Sequence, residues 1–300
     1  MKGILLVDKS AGMTSHDVVD RIRKAAGMRR IGHTGTLDPN ATGLLILCLG
    51  PATRLSEHLT GLDKVYEGDL RLGITTDSHD ITGQVLEEKP VPADLTADAV
   101  EAVFQKFTGD ILQVPPMVSA VKVGGERLYK LARKGETVVR EPRPVTVHEF
   151  KLLRFDPPLV GFRVGCTSGT YVRSLCHEVG QRLGCGATLN SLRRTAVGRH
   201  TVAQAAPVEA FNTRADVEQR LMPIEDALDL PQVVLRPGGR RLIASGSPIT
   251  PRDLKEDCPV SAGWVQLKSD KGELLALGQV QQSATAISIV PRRVFVSPHQ

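Results

Sequence analysis

Residues 32–43 read Gly32-His33-Thr34-Gly35-Thr36-Leu37-Asp38-Pro39-Asn40-Ala41-Thr42-Gly43, with three glycines, one proline and no periodicity of either helix or strand. A stretch so punctuated must be a shaped loop. Asp38 stands directly before Pro39, so its backbone is held extended, and its small neighbours let a bulky substrate come close. Such a carboxylate is suited to act as a nucleophile or a base. From the loop alone a second reading is equally open, in which Asp-Pro starts a turn or caps a helix beginning near Ala41. Other chemistries find no support in the spacing. No Gly-Lys-Ser/Thr run marks a Walker loop, and Gly-x-x-Gly is too generic to count. The five cysteines contain no Cys-x-x-Cys pair, and no His, Cys and carboxylate cluster has ligand spacing, so neither a zinc site nor a disulfide framework is expected.

The elements around this loop can be read from periodicity and caps. Gly3 to Val7 is a β-prone run, followed by a turn at Lys9-Ser10-Ala11-Gly12 and a helix whose N-cap reads as Ser15. Its apolar positions Val18, Val19, Ile22 and Ala26 recur at helical spacing, and Gly27 stops it. After the loop comes the apolar run Leu44 to Leu49. Strands are expected at 64–72 and 83–86 around the polar turn Thr76 to Asp80, then a helix at about 96–107 capped by Thr96 and stopped by Gly109. Pro115-Pro116 precedes a second, basic helix from about Glu126 to Lys134. Strands at 144–155 and 159–166 lead into a helix whose apolar face is Val172, Leu175, Cys176, Val179 and Leu183, closed by Gly184. Cys48, Cys166, Cys176 and Cys185 read as reduced fillers of apolar positions.

After about residue 230 the texture changes to short β-prone runs at 233–235, 263–268, 273–280 and 285–296, the pattern of a small barrel or sandwich. Helices and strands mix without regular βαβ alternation, so the expected class is α+β: a mixed, mainly antiparallel sheet with flanking helices in residues 1–230, and a small β domain in 231–300. The 300 residues, 41% hydrophobic and 24% charged, suffice for such a pair of units. Formal net charge is +5, but it is unevenly spread. Residues 122–144 carry seven basic and three acidic side chains and residues 231–300 nine and five, so each block is net +4 and the rest of the chain net −3. Two basic surfaces suit a polyanion, while a solvated helix face accounts for the first block as well. No apolar run reaches the roughly 18 residues needed to span a bilayer, and Asp8 comes too early for a signal peptide, so a cytoplasmic protein is expected.

The loop Gly32 to Pro39, continued by Ala41-Thr42-Gly43-Leu44-Leu45, closely resembles the catalytic-aspartate motif of the bacterial tRNA pseudouridine-55 synthases of the TruB family. Four further stretches resemble that family in the same order: Val7-Asp8-Lys9 with Gly12-Met13-Thr14-Ser15, Lys64-Val65-Tyr66, Gly169-Thr170-Tyr171-Val172-Arg173, and Leu192-Arg193-Arg194. Pro115-Pro116-Met117-Val118-Ser119-Ala120 and Gly184-Cys185-Gly186-Ala187 fit it too. Together these cover almost the whole first domain. One departure is Ser10, where the family usually has proline after the lysine, which leaves that turn less rigid.

The resemblance implies isomerisation of a uridine in the T-loop of tRNA, its glycosidic bond cut and remade to carbon 5 of the base, with no cofactor or metal. It implies Asp38 as the catalytic residue, Arg173 as its partner, and Tyr66 as a stacking face and a candidate base toward the sugar. A guanidinium beside a carboxylate typically lowers its pKa by about 1–3 units, which would keep Asp38 ionised in a dry pocket. The target base is stacked in a folded loop, so it must be flipped out at a cost of a few kcal/mol. His33 matches the family's wedge for the gap, although a histidine can equally satisfy loop hydrogen bonds. Tyr171 and Leu192 match walls of the uracil pocket, Lys9 a lysine of the first motif, and Asp80 is a candidate acceptor behind the site. An insertion at about 115–145 matches the family's mobile RNA-binding segment, which puts Lys122, Arg127, Lys130, Arg133, Lys134, Arg140 and Arg143 near phosphates. Residues 231–300 resemble the family's PUA-type domain by position and texture only, with Trp264 read as core. The implied partner is the tRNA T-arm, acted on by a monomer with no obligate protein partner and no membrane. Two alternatives remain beside the isomerase: a tRNA-binding and refolding module in which catalysis is secondary, and a base-excising glycosylase.

Overall fold

The structure, a computed structural model, describes residues 1–300 except 118, 120, 121, 129, 130, 132–135, 137, 259, 283–286 and 297–300, with backbone alone for 122, 123 and 127. In chain order the first half comprises β1 (Gly3–Lys9), α1 (Ser15–Ala26), β2 (Ile31–Thr34), β3 (Thr42–Leu49), α2 (Ser56–Gly61), β4 (Lys64–Leu72), β5 (Ile74–Thr76), β6 (Val85–Glu88), α3 (Ala97–Gln105), β7 (Gly109–Gln113), β8 (Lys122–Val123) and β9 (Glu126–Arg127). The second half comprises β10 (Arg143–Asp156), β11 (Leu159–Cys166), α4 (Val172–Leu183), β12 (Ala187–Val197), β13 (His200–Thr201), β14 (Ala206–Pro207), α5 (Arg214–Gln219), β15 (Gln232–Val234), α6 (Gly239–Ala244), β16 (Gly263–Lys268), β17 (Leu274–Gln282) and β18 (Ile287–Val294).

Among the described residues a ten-stranded mixed sheet runs in the order β14-β1-β3-β12-β4-β11-β10-β7, with β2 added to β3 and β13 to β12. Its pairs are antiparallel except β1 with β14 and β3 with β12. β3 explains why its sequence shows no alternation. Leu45, Leu47 and Leu49 pack under α1 with Val18, Val19 and Ile22, while Leu44, Ile46 and Cys48 pack on the opposite face with Leu55 and Leu59. A strand buried on both faces reads as a continuous apolar run. A third cluster lies where α3 and α4 cover β4, β10, β11 and β12, with Phe104 stacked on Phe150 at 3.9 Å and Phe162 edge-on at 5.6 Å. Cys48, Cys166, Cys176 and Cys185 are all reduced and buried, and burial pushes the Cys48 thiol up to about 12.

The helices follow their caps, with one shift of register. Thr14, not Ser15, caps α1: its hydroxyl accepts from Asp17 N while the Asp17 carboxylate accepts from Thr14 N. Ser15 is thereby freed for another task. The helix expected from Glu126 does not start there. Glu126 and Arg127 form β9, paired with β8 across Gly124-Gly125, both at positive φ, and helix begins at Leu128. Two adjacent glycines favour a tight hairpin turn over helix, and the sequence reading passed over them.

Beyond residue 231, β15 to β18 form a four-stranded sheet with its own core around Val233, Leu235, Ile243, Val265, Leu267 and Ile289. Among the described residues this is one four-stranded sheet, with isolated bridges at Leu235–Leu254 and Ile249–Ile289. Leu274, Leu277, Trp264 and Phe295 pack into the same cluster as Ile4, Leu55 and Leu59 of the main sheet. Trp264 meets His58 edge-on at 4.4 Å, and Arg293 pairs with Glu57 at 2.6 Å.

Candidate active site

The loop between β2 and β3 is pinned on both sides of Asp38. Ser15, freed from capping, donates its hydroxyl to Leu37 O at 3.0 Å and accepts from Leu37 N at 2.9 Å. The fully buried Lys9 ammonium donates to Ser10 O, Met13 O and Pro39 O at 3.0, 2.7 and 2.9 Å. Gly12 N adds a bond to Pro39 O at 3.0 Å. Leu37 and Pro39 are therefore fixed, and Asp38 between them has little freedom. The chain turns there, Ala41 N donating to Asp38 O at 3.1 Å, and enters β3 instead of a helix.

Arg173 reaches this carboxylate from the first turn of α4. Its Nε lies 3.1 Å from Asp38 Oδ2, and its side chain is only 6% exposed. On the far side, Nη1 donates to Ser78 O at 3.3 Å and to Asp80 Oδ2 at 3.4 Å. Asp80 is held in turn by Ser78 Oγ at 3.0 Å and by Thr82 N at 2.9 Å. The guanidinium thus bridges two carboxylates, one facing the cleft and one behind it. Asp38 nevertheless keeps its proton to a higher pH than an ordinary aspartate. Burial dominates, the negative Asp80 adds to it, and Arg173 and Lys9 only partly offset them. The expectation of a net lowered pKa is corrected: Arg173 pulls it down, but desolvation outweighs that pull even with the side chain 46% exposed.

The carboxylate faces a cleft of about 430 Å³ whose walls include Tyr66, Tyr171, Leu192, Lys64 and Arg194. This volume suits one nucleotide-sized guest. A smaller hollow on the other side of the pair is lined by Asp38, Asp80, Ile81 and Asn190. Tyr66 comes from β4 and is 9% exposed, with its phenol pushed up by burial while Arg194 opposes the shift. Tyr171 is the residue before α4, fixed through its backbone by Gln113 at 2.7 and 3.0 Å.

A model of the TruB family pseudouridylate synthase N terminal domain matches residues 23–172 of this sequence, half of the chain. The chain belongs to the TruB family. A model of the tRNA pseudouridylate synthase B C-terminal domain matches residues 173–229. Among curated proteins, tRNA pseudouridine synthase B of Opitutus terrae is 52% identical over 229 residues, covering 76% of this chain and 95% of that one. The protein of the same name from Heliobacterium modesticaldum is 41% identical over 298 residues, covering 98% and 96%. Among solved structures, the archaeal box H/ACA sRNP Nop10-Cbf5 complex contains a chain that superposes with a TM-score of 0.75 at 25% identity, covering 99% of this chain and 87% of that one. Pseudouridine synthases are isomerases, and so is this TruB-family enzyme.

Within the TruB-family chain the other expected site residues fall in different places. Lys9 does not line the cleft: its charge is spent on the loop carbonyls, and burial brings its pKa down to about 8. The Ser10 that replaces the usual proline bonds Glu209 Oε1 at 2.9 Å, which ties the turn to the segment after β14. His33 stands on β2 outside the cleft wall, half-buried, with Nδ1 unpartnered. Burial and the charge of Arg194 both disfavour its protonated form. Arg140 donates to Pro115 O at 3.1 Å and Arg143 opens β10 on the surface, while the backbones of Lys122 and Arg127 are paired in the β8–β9 hairpin. Lys130, Arg133 and Lys134 lie outside the described residues.

Sequence reasoning missed Arg194 as an individual residue. It is 1% exposed and sits on β12 between Gly43 of β3 and Tyr66 of β4. Its Nε donates to Leu44 O at 2.7 Å and its Nη2 to Gly35 O at 2.9 Å, so it joins the Asp38 loop to the sheet. A Cβ on Gly43 would lie 2.3 Å from Arg194 O, and glycine is obligatory at that crossing. The available signal was Gly43 itself, a glycine inside a strand pattern that marks a close backbone approach.

Proposed function

We propose that the enzyme converts uridine 55 in the T-loop of tRNA to pseudouridine, with Asp38 as its catalytic carboxylate. The observation that carries the reading is the Asp38–Arg173 pair at 3.1 Å on the floor of a nucleotide-sized cleft. Attack on the anomeric carbon and removal of a ribose proton both require Asp38 to be charged. Arg173 favours that form without itself deprotonating, while burial leaves the carboxylate more basic and more nucleophilic than one in water. The C1′–N1 bond then breaks, the uracil turns within the cleft, the C1′–C5 bond forms, and the hydrogen on C5 leaves as a proton while N1 takes one up from water, so the product is an isomer.

Tyr66 offers the flipped base a stacking face and serves as a base toward the sugar, while Tyr171 and Leu192 close the pocket, all three lining the cleft. His33, kept neutral, fills the gap left in the T-loop. Arg140, Arg143 and the other basic residues of the 115–145 insertion meet phosphates, and residues 231–300 act as a PUA-like RNA-binding domain. The enzyme works in the cytoplasm as a monomer, with no obligate protein partner; among the described residues no helix is long and apolar enough to cross a membrane.

The test is Asp38→Asn assayed on tRNA labelled with tritium at uridine C5. The variant is expected to bind tRNA as the parent does and to release no tritium. A variant that still released it would overturn the assignment, and release of free uracil by the parent would turn the reading toward a glycosylase. A parent without turnover that still accelerated tRNA refolding would favour the refolding module.

A further inference from the structure

Arg194 is the largest fully buried side chain among the described residues. Burying a cation away from water costs several kcal/mol unless its donors are met and its charge is answered. Two carbonyls, Leu44 O and Gly35 O, satisfy part of the guanidinium. Holding strands together would need no more than that. Its ionisable neighbours Lys9, Lys64 and His33 give up protons more easily, chiefly through burial, with the charge of Arg194 adding to it. Tyr66 is the neighbour of the opposite kind: it is paired directly with Arg194 across β4 and β12, lines the same cleft, and is the group whose anionic form Arg194 favours.

A guanidinium has donors and no acceptor, so toward it the phenol oxygen can only accept. The phenol proton is then left to point away from the guanidinium, into the cleft that Tyr66 and Arg194 both line. We infer that Arg194 is a positioning residue for the isomerisation: it fixes the Tyr66 hydroxyl toward the flipped nucleotide and sets a cation against the oxygen that gathers negative charge when its proton is shared. β12 register supports this, because Arg194 is paired directly with Tyr66. The same side chain grips Gly35 O, three residues before Asp38, so one buried guanidinium sets the distance between the two groups that face the nucleotide. The inference rests on the reading of Tyr66 as a group that touches the nucleotide.

The experiment is a double-mutant cycle on a T-arm RNA hairpin labelled at C5, with enzyme in excess and single-turnover rates followed for hours. Arg194→Met is expected to slow tritium release by roughly 10- to 100-fold, the effect of one charge-assisted hydrogen bond, with RNA affinity unchanged. In the Y66F background the same substitution is expected to cost several-fold less, because the oxygen is gone and only the share carried through Gly35 O remains. An equal loss in both backgrounds, or a parental rate for Arg194→Met, would overturn the inference. Should the methionine variant fail to fold, Arg194→Lys is carried through the cycle, with a smaller loss expected beside Tyr66 and a smaller one still in Y66F. Asp38→Asn runs alongside: tritium release from that variant would sink the proposed function, whereas additive losses with Asp38→Asn silent would sink the role of Arg194 alone.

Discussion

Asp80→Asn separates the two carboxylates that share Arg173. In the parent, Asp80 Oδ1 accepts from Ser78 Oγ and Thr82 N, and Oδ2 accepts from Arg173 Nη1 at 3.4 Å. An amide has one acceptor oxygen, so asparagine can keep the turn and present NH₂ to a guanidinium, or keep Arg173 and break the turn. Either way one charge-assisted contact is lost, worth about 1.5–3 kcal/mol in general. The contact is long and the Asp80 side chain is 19% exposed, so the lower end applies, about tenfold in single-turnover rate. A second signature runs in the opposite direction. The charge of Asp80 raises the Asp38 pKa, so removing it lowers that pKa and moves the acid limb of the rate profile to lower pH. Generalised damage to the loop would slow the reaction without shifting the limb downward. Rates of tritium release from pH 4 to 8, with tRNA affinity measured separately, check both signatures. A parental rate, or a slower rate with the limb unmoved or raised, would refute the reasoning.

The buried lysines make an unusual pH dependence of stability. Lys9 and Lys64 titrate at about 8 in the folded protein, below the ordinary 10.5, so the unfolded chain binds more protons between those values and stability is expected to rise from about pH 8 to about 10.5. Denaturant midpoints across that window test this, and a midpoint contribution that falls with pH and is abolished in K9M/K64M would contradict it. Gly43→Ala, with φ at +98° and its Cβ 2.3 Å from Arg194 O, is expected to lose about 3 kcal/mol or more and to lower the melting temperature sharply. Melting within a degree of the parent would show that the crossing can relax. Arg143→Ala is expected to weaken tRNA binding uniformly and reduce the slope of log K against log salt by about one unit, with the saturated rate unchanged.

Much of this site could be read from local sequence. Asp38 stood out because Gly35 and Pro39 interrupt regular structure beside it, although the expected loop 32–43 is shorter, with Gly32 to Thr34 in β2 and Thr42-Gly43 in β3, and Thr96, Gly27 and Gly184 bounded helices where their chemistry said they should. What escaped detection depends on contacts between distant strands. Lys9 and Arg194 were read only as members of motifs, because composition gives no sign that the loop carbonyls consume the charge of the first and that the parallel pairing of β3 with β12 buries the second. The Asp38 pKa had the same difficulty: Arg173 was visible as a partner, whereas the burial that outweighs it arises only when Leu37, Tyr66 and Val172 close around the cleft. Ser15 was taken for a cap because serine and threonine are near-equal at that position, and its bonds to Leu37 appear only in the folded loop.

The central claim is that a single carboxylate isomerises one T-loop uridine. Pseudouridine is mapped nucleotide by nucleotide in tRNA from cells that carry the gene, lack it, or carry Asp38→Ala. The account expects the modification at position 55 in the first strain alone. Pseudouridine persisting at that position with Asp38→Ala as the sole copy would contradict it.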